Sequence, residues 1–146
     1  MSWWDTPGGG LWEGEDHAQA AQRELGEETG LVGVDVGPWI WTHHDAFVVR
    51  GTLFHQDERY FLVRCRPFMI DAAGLEPDER AVIREFRWWS LEDLATTSEE
   101  LSPRGLATLV GSLLREGPPS TPVEVWSTTR AHCRVRPAQV GQLLAD

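Results

Sequence analysis

Three glutamates constrain what this 146-residue chain can be: Glu24, Glu27 and Glu28, packed into five residues of the stretch Gly8–Leu31, GGGLWEGEDHAQAAQRELGEETGL. In a helix, positions i, i+3 and i+4 share one face, so the three carboxylates meet. Each like-charged pair on an exposed helix costs about 0.2–0.5 kcal/mol. The acids also stand near the C-terminal end of the candidate helix, where the macrodipole disfavours anions. A stretch that breaks two local rules at once usually does so for function. A bound cation resolves both conflicts, and an all-oxygen donor set selects a hard one, Mg2+ or Mn2+. The competing explanation is a solvated acidic face.

The flanking residues fit a helix that starts and stops cleanly. Asp16 and Gln19 resemble a capping box, which places the first helical residue at His17. Ala18, Ala21, Leu25 and the methyl of Thr29 recur near helical spacing and are expected on the buried side. Gly30 suits the residue past the end, with Leu31 supplying the apolar contact that follows. Residues 2–5 read as the end of a strand, and Pro7 with three glycines as a loop allowing close backbone approach. A glycine loop before a helix also suits backbone laid against phosphate.

Beyond the helix, residues 32–66 read as β-rich. Trp39–Thr42 is an expected strand, and Phe47–Val49 and Thr52–Phe54 flank a turn at Arg50-Gly51. Arg59–Arg66 reads as a strand with Phe61, Val63 and Cys65 on one face and Tyr60, Leu62, Arg64 and Arg66 on the other. Residues 67–84 form a long acidic connection, with a helical turn near Glu79 and the length of a functional loop. Phe86–Trp89 returns to strand and Leu91–Leu94 to a short helix. Ser102 and Pro103 suit the N-cap and first residue of a second clear helix, striped by Leu106, Leu109, Val110, Leu113 and Leu114 and ended by Glu116-Gly117-Pro118-Pro119. In the tail, Val123–Trp126 reads as a strand and Ala138–Leu144 as a short helix. Residues 127–139 there hold Arg130, Arg134 and Arg136 but no acid.

The net charge of −10 excludes the basic footprint of a nucleic-acid-binding module, so no nucleic-acid polymer is expected as partner. An anionic nucleotide stays open, because bound metal inverts the local field. Cys65 and Cys133 are too few and too far apart for a disulfide framework or a zinc site, which points to a reducing compartment. No apolar run is long enough to span a membrane, and MSWWDTPGGG lacks the form of a signal peptide, so the expected location is the cytoplasm. Six of the eight tryptophans come as close pairs, Trp3 with Trp4, Trp39 with Trp41 and Trp88 with Trp89. They are expected mainly in the core, with base stacking as the sharper alternative for one or two.

Read from Gly9, the pattern G-x5-E-x7-R-E-L-x-E-E-x-G-L is filled by Gly9, Glu15, Arg23, Glu24, Leu25, Glu27, Glu28, Gly30 and Leu31. This resembles an unbroken Nudix box. The aromatic strand near Arg59–Arg66 and the run Trp88-Trp89-Ser90-Leu91 with Asp93-Leu94 are similar to later parts of small MutT-like members. The resemblance implies the α/β Nudix fold, an α/β/α sandwich with a mixed sheet. Residues 1–116 would form the domain, and 117–146 a tail with room for disorder. It implies Mg2+- or Mn2+-dependent hydrolysis of a nucleoside diphosphate linked to another group, a small-molecule substrate. In that reading Glu24, Glu27 and Glu28 are catalytic acids and metal ligands, Gly8 adds its carbonyl, and Glu15 and Arg23 orient the ligands. The proton-accepting acid is Glu27 or Glu28 within the box, or Glu79 or Glu85 outside it. Arg64 and Arg66 are candidates for phosphate, against the plainer reading of solvated strand arginines. His43 and His44 are expected to be structural.

One departure stands out, for only eight residues precede Gly9, where the family usually carries a strand. A fragment with its start upstream, a tail strand such as Val123–Trp126, or a second subunit in a homodimer would each supply it, and the fragment is favoured. The alternative function is a non-catalytic or remnant nucleotide-binding protein. A Nudix isomerase acting on isopentenyl diphosphate is the weaker third. No subfamily signature selects the substrate.

Overall fold

The computed structural model describes residues 3–126 and the backbone of 141–144. Helix α1 (His17–Thr29) begins where Asp16 and Gln19 exchange bonds. Asp16 Oδ1 accepts from the Gln19 N–H at 2.8 Å, and Gln19 Oε1 accepts from the Asp16 N–H at 2.9 Å. Two otherwise orphaned donors are thereby satisfied. The helix ends at Gly30 (φ 75°), whose N–H reaches the Gly26 carbonyl at 2.9 Å. Its buried side is Ala20, Glu24, Leu25, Glu28 and Thr29. Ala18 and Ala21 are only half-buried, because the face turned inward carries two of the acids.

Strands β1 (Trp39–Val49) and β2 (Thr52–Phe61) form an antiparallel hairpin from Val49↔Thr52 to Trp39↔Phe61. Arg50 (φ 49°) and Gly51 (φ 82°) make its two-residue turn, both left-handed as the type I′ geometry requires. The expected strand Arg59–Arg66 is corrected: β2 starts at Thr52 and stops at Phe61. Beyond Phe61 the register breaks around Pro38, which has no N–H: the Leu62 N–H bonds the Pro38 carbonyl at 3.0 Å, and the Leu62 carbonyl accepts from the Gly37 N–H at 2.8 Å instead.

Strand β3 spans Phe86–Trp89 and helix α3 spans Leu91–Thr96, close to expectation. Helix α4 (Leu106–Glu116) starts later than Ser102-Pro103 suggests, with Gly105 at its N-cap. The preceding segment is used in extended pairing: Leu101 bridges Trp4, and the Ser102 N–H bonds the Trp4 carbonyl at 2.8 Å. Among the described residues, the strand end expected at residues 2–5 is bridge pairing at Trp4 and Asp5, outside any named strand.

Strand β4 (Val123–Trp126) lies parallel to β1, from Trp41↔Val123 to His44↔Trp126, so the sheet order is β2-β1-β4. Strand β5 (Gly141–Leu144) pairs parallel with β3. The short helix expected at Ala138–Leu144 is therefore wrong over 141–144: Gly141 is a poor helix former, and β3 offers a paired edge. Residues 138–140, Arg130, Cys133, Arg134 and Arg136 lie outside the described residues.

The core takes one member of each tryptophan pair, Trp4, Trp41 and Trp89, with Leu94, Leu106 and Val110 around them. Trp4 meets Trp89 edge-on, centroids 5.0 Å apart. In α4, Leu106, Val110 and Leu113 are buried, Leu109 packs on them in part, and Leu114 is exposed. The segment leading to helix α2 (Pro77–Val82) is pinned under the end of α1. There the Asp71 N–H bonds the Thr29 carbonyl at 2.9 Å, ahead of a 3-10 turn at Ala72–Gly74. That contact delivers α2 to the acids of α1.

Candidate metal centre

Glu24 and Glu28 stand one turn apart on the inward face of α1, 4% and 1% exposed. Glu79 of α2 completes a group of three: one carboxylate oxygen from each lies within 4.8 Å of the others. Glu24 Oε2 and Glu28 Oε1 are buried without a hydrogen-bond partner. A buried unpartnered carboxylate is costly, and three converging ones are costlier still. As hard oxygen donors with free lone pairs they fit a divalent cation of the Mg2+ kind.

Arg23 governs the other side of the cluster. Its guanidinium donates to Glu15 Oε1 and Oε2 at 2.8 and 3.0 Å, to Glu24 Oε1 at 2.7 Å, to Glu27 Oε2 at 2.9 Å and to the Gly10 carbonyl at 2.9 Å. It also covers the Trp12 ring at 3.9 Å. One charge thus steadies three acids, the arrangement that supporting residues give a metal site. Glu27 is engaged with Arg23 and lies outside the group of three.

Gly8 approaches through its N–H, which donates to Glu28 Oε2 at 3.1 Å. A Cβ on Gly9 would lie 2.2 Å from Glu24 Oε1, so the loop needs glycine there to press against the carboxylate. Gly9→Ala is expected to displace Glu24 and lower kcat/KM about 10²-fold, as small misplacements at reacting centres do. Steady-state kinetics beside a thermal melt separates this from general unfolding.

Of the two acids left open outside the box, Glu79 joins the centre. Glu85 does not: it is exposed and pairs with Arg87 at 3.1 Å. Pro77 opens α2, and the Glu76 N–H donates to Glu79 Oε2 at 2.8 Å, which holds the side chain. The spacing Glu76-Pro77-Asp78-Glu79 was the signal that could have separated the two. Arg64 and Arg66 are exposed beyond β2, and neither makes a described hydrogen bond to the acids. His43 is buried, with Nδ1 2.8 Å from Glu58, and His44 lies between strands, so neither joins the centre.

Burial shapes the acids on the inward face of α1. Burial pushes Glu28 up to about 8, helped by the charge of Glu24 and opposed by the Gly8 N–H. Burial also raises Glu24, against the pull of Arg23. Hydrogen bonds from Arg23 hold Glu15 low. Asp5, before the glycine loop, is raised to about 7 by burial and then by Glu58.

The family model of the NUDIX domain matches residues 1–109. The chain belongs to the NUDIX family. Its α/β architecture with a mixed sheet agrees with that membership. This Nudix chain is 33% identical over 125 residues to an RNA pyrophosphohydrolase of Sphingopyxis alaskensis, across 79% of its own length and 76% of the relative's. It is 31% identical over 108 residues to RNA pyrophosphohydrolases of Brucella ovis and Brucella canis. Those matches cover 68% of the chain and 60% of each Brucella protein. Family and relatives together place it among the pyrophosphohydrolases. No solved structure matches it.

Proposed function

We propose that this Nudix chain is a divalent-metal-dependent hydrolase that cleaves the pyrophosphate bond of a nucleoside diphosphate linked to another group. The observation that carries the reading is the buried convergence of Glu24, Glu28 and Glu79, with two carboxylate oxygens left unpartnered. These three would hold Mg2+ or Mn2+, with Gly8 beside them and Glu27 as the further acid of the box. When bound, the ion neutralises phosphate oxygens and acidifies the attacking water. Arg23 fixes the positions of Glu15, Glu24 and Glu27 before substrate arrives. Burial of Glu24 and Glu28 keeps competing water from their oxygens.

A small nucleotide is the substrate favoured by the net charge of −10. A second reading, the 5′ polyphosphate end of an RNA, is favoured by the names of the relatives. Residues 1–116 carry the catalytic domain in this reading, with the segment from 117 joined to it through β4. Among the described residues no helix is long and apolar enough to cross a membrane.

The test is product release from nucleoside triphosphates, nucleotide sugars and a 5′-triphosphorylated RNA oligonucleotide in excess Mg2+. Turnover of one class is expected, abolished by chelator and restored by Mg2+ or Mn2+. Binding without release across the whole panel would replace the enzyme with a nucleotide-binding protein.

A further inference from the structure

His44 stands on the central strand β1, between a carboxylate from each neighbouring strand. Its Nδ1 lies 2.7 Å from Asp57 Oδ1 on β2, and its Nε2 meets Glu124 Oε2 on β4. The ring also stacks on Trp126 of β4, with centroids 4.1 Å apart and planes at 22°. A neutral imidazole has one N–H and one bare nitrogen, while ionised carboxylates only accept. The imidazolium alone, with an N–H on both nitrogens, satisfies the two contacts together.

The other groups on this face are few. By alternation from the β1–β2 register, Thr42 and Ala46 flank His44 on β1, and Arg59 and His55 flank Asp57 on β2. The Arg59 guanidinium lies over the Trp39 ring at 4.2 Å. On β4 the one charged side chain is Glu124. Among the described residues, both hydrogen-bonding partners of the His44 ring are thus anionic. They hold its pKa above the ordinary value, Glu124 first and Asp57 next.

Strand β4 has little else to fasten its side chains. Val123, Glu124 and Trp126 are exposed, and Val125 alone packs on the core. We propose that His44 is a proton-coupled clasp for β4: the imidazolium ties the strand to β1 and β2 at once, and loss of its proton loosens β4. Once β4 is loosened, the β1 edge from Trp41 to His44 is open to another strand, since unpaired edges seek partners.

Hydrogen–deuterium exchange on the full chain from about pH 6 to 9, corrected for intrinsic rates, tests this beside an NMR titration of His44. The amides of residues 123–126 are expected to lose protection about tenfold as pH rises, the size of one charge-assisted hydrogen bond. The midpoint should match the His44 titration and lie above the ordinary value of about 6.5. Amides of α1 should instead follow the buried acids of that helix, with a profile that Glu124→Gln leaves unchanged. Glu124→Gln, which removes the charge but keeps an acceptor, should lower the His44 midpoint and flatten the β4 profile. Flat β4 protection in the native chain would overturn the clasp, and so would an unchanged profile in Glu124→Gln. An α1 profile that shares the β4 midpoint and shifts with it in Glu124→Gln would also overturn it, since that marks unfolding of the whole domain.

Discussion

Glu28→Gln is expected to lower kcat/KM by about 10³-fold, within the range for loss of a charged group at a reacting centre. The same change should leave the metal-free fold as stable as before, or more so. Glu28 is 1% exposed, and its Oε1 has no partner, so the native carboxylate is already an unfavourable group to bury in ionised form. An uncharged amide of the same shape removes that cost and keeps an acceptor for the Gly8 N–H at Oε2. A large kinetic loss without a fall in Tm separates a ligand from a structural acid. Glu85→Gln is the control: its exposed carboxylate pairs with Arg87 and is not a member of the cluster, and activity should be unchanged. Full activity in Glu28→Gln would sink the proposed mechanism.

The sequence made this centre legible because its elements are local. The capping pair Asp16–Gln19, the αL cap at Gly30 and the spacing of Glu24 and Glu28 all lie within one helix and follow from its period. The turn at Arg50-Gly51 was readable for the same reason. What escaped was set by partners distant in sequence. β2 ends as a regular strand at Phe61 because opposite Leu62 the N–H comes from Gly37 rather than Pro38, a break in register that the β pattern of residues 59–66 does not contain. The start of α4 is delayed because Ser102 is bonded to Trp4, some 100 residues earlier by number. Glu79 outranks Glu85 because Asp71 is tied to the end of α1, bringing α2 over the acids. The β pattern of Val123–Trp126 reads as a strand, but its parallel pairing with β1 and the contact of Glu124 with His44 join segments far apart in sequence, which no local rule encodes.

The metal-free protein is expected to lose stability as pH rises, and Mg2+ to restore it. Glu28 has its folded-state pKa raised to about 8 from the ordinary 4.5, so the folded chain holds this proton more tightly than the unfolded one. Its favourable contribution is complete below about 4.5, declines through the window between the two values, and is gone above about 8. Glu24, raised by burial, acts in the same direction, and so does Asp5, raised to about 7. Melts without divalent metal should therefore show Tm falling by about 10 °C between mildly acidic and mildly alkaline buffer. A divalent ion binds the ionised acids and competes with the proton, so Mg2+ should raise Tm more on the alkaline side than on the acidic side. In Glu28→Gln both the fall with pH and the added effect of Mg2+ should shrink, because the group that exchanges a proton for a cation is no longer there. An Mg2+ effect on Tm that is equal at both ends of the range, or equal in the native and Glu28→Gln chains, would place the cation away from this cluster.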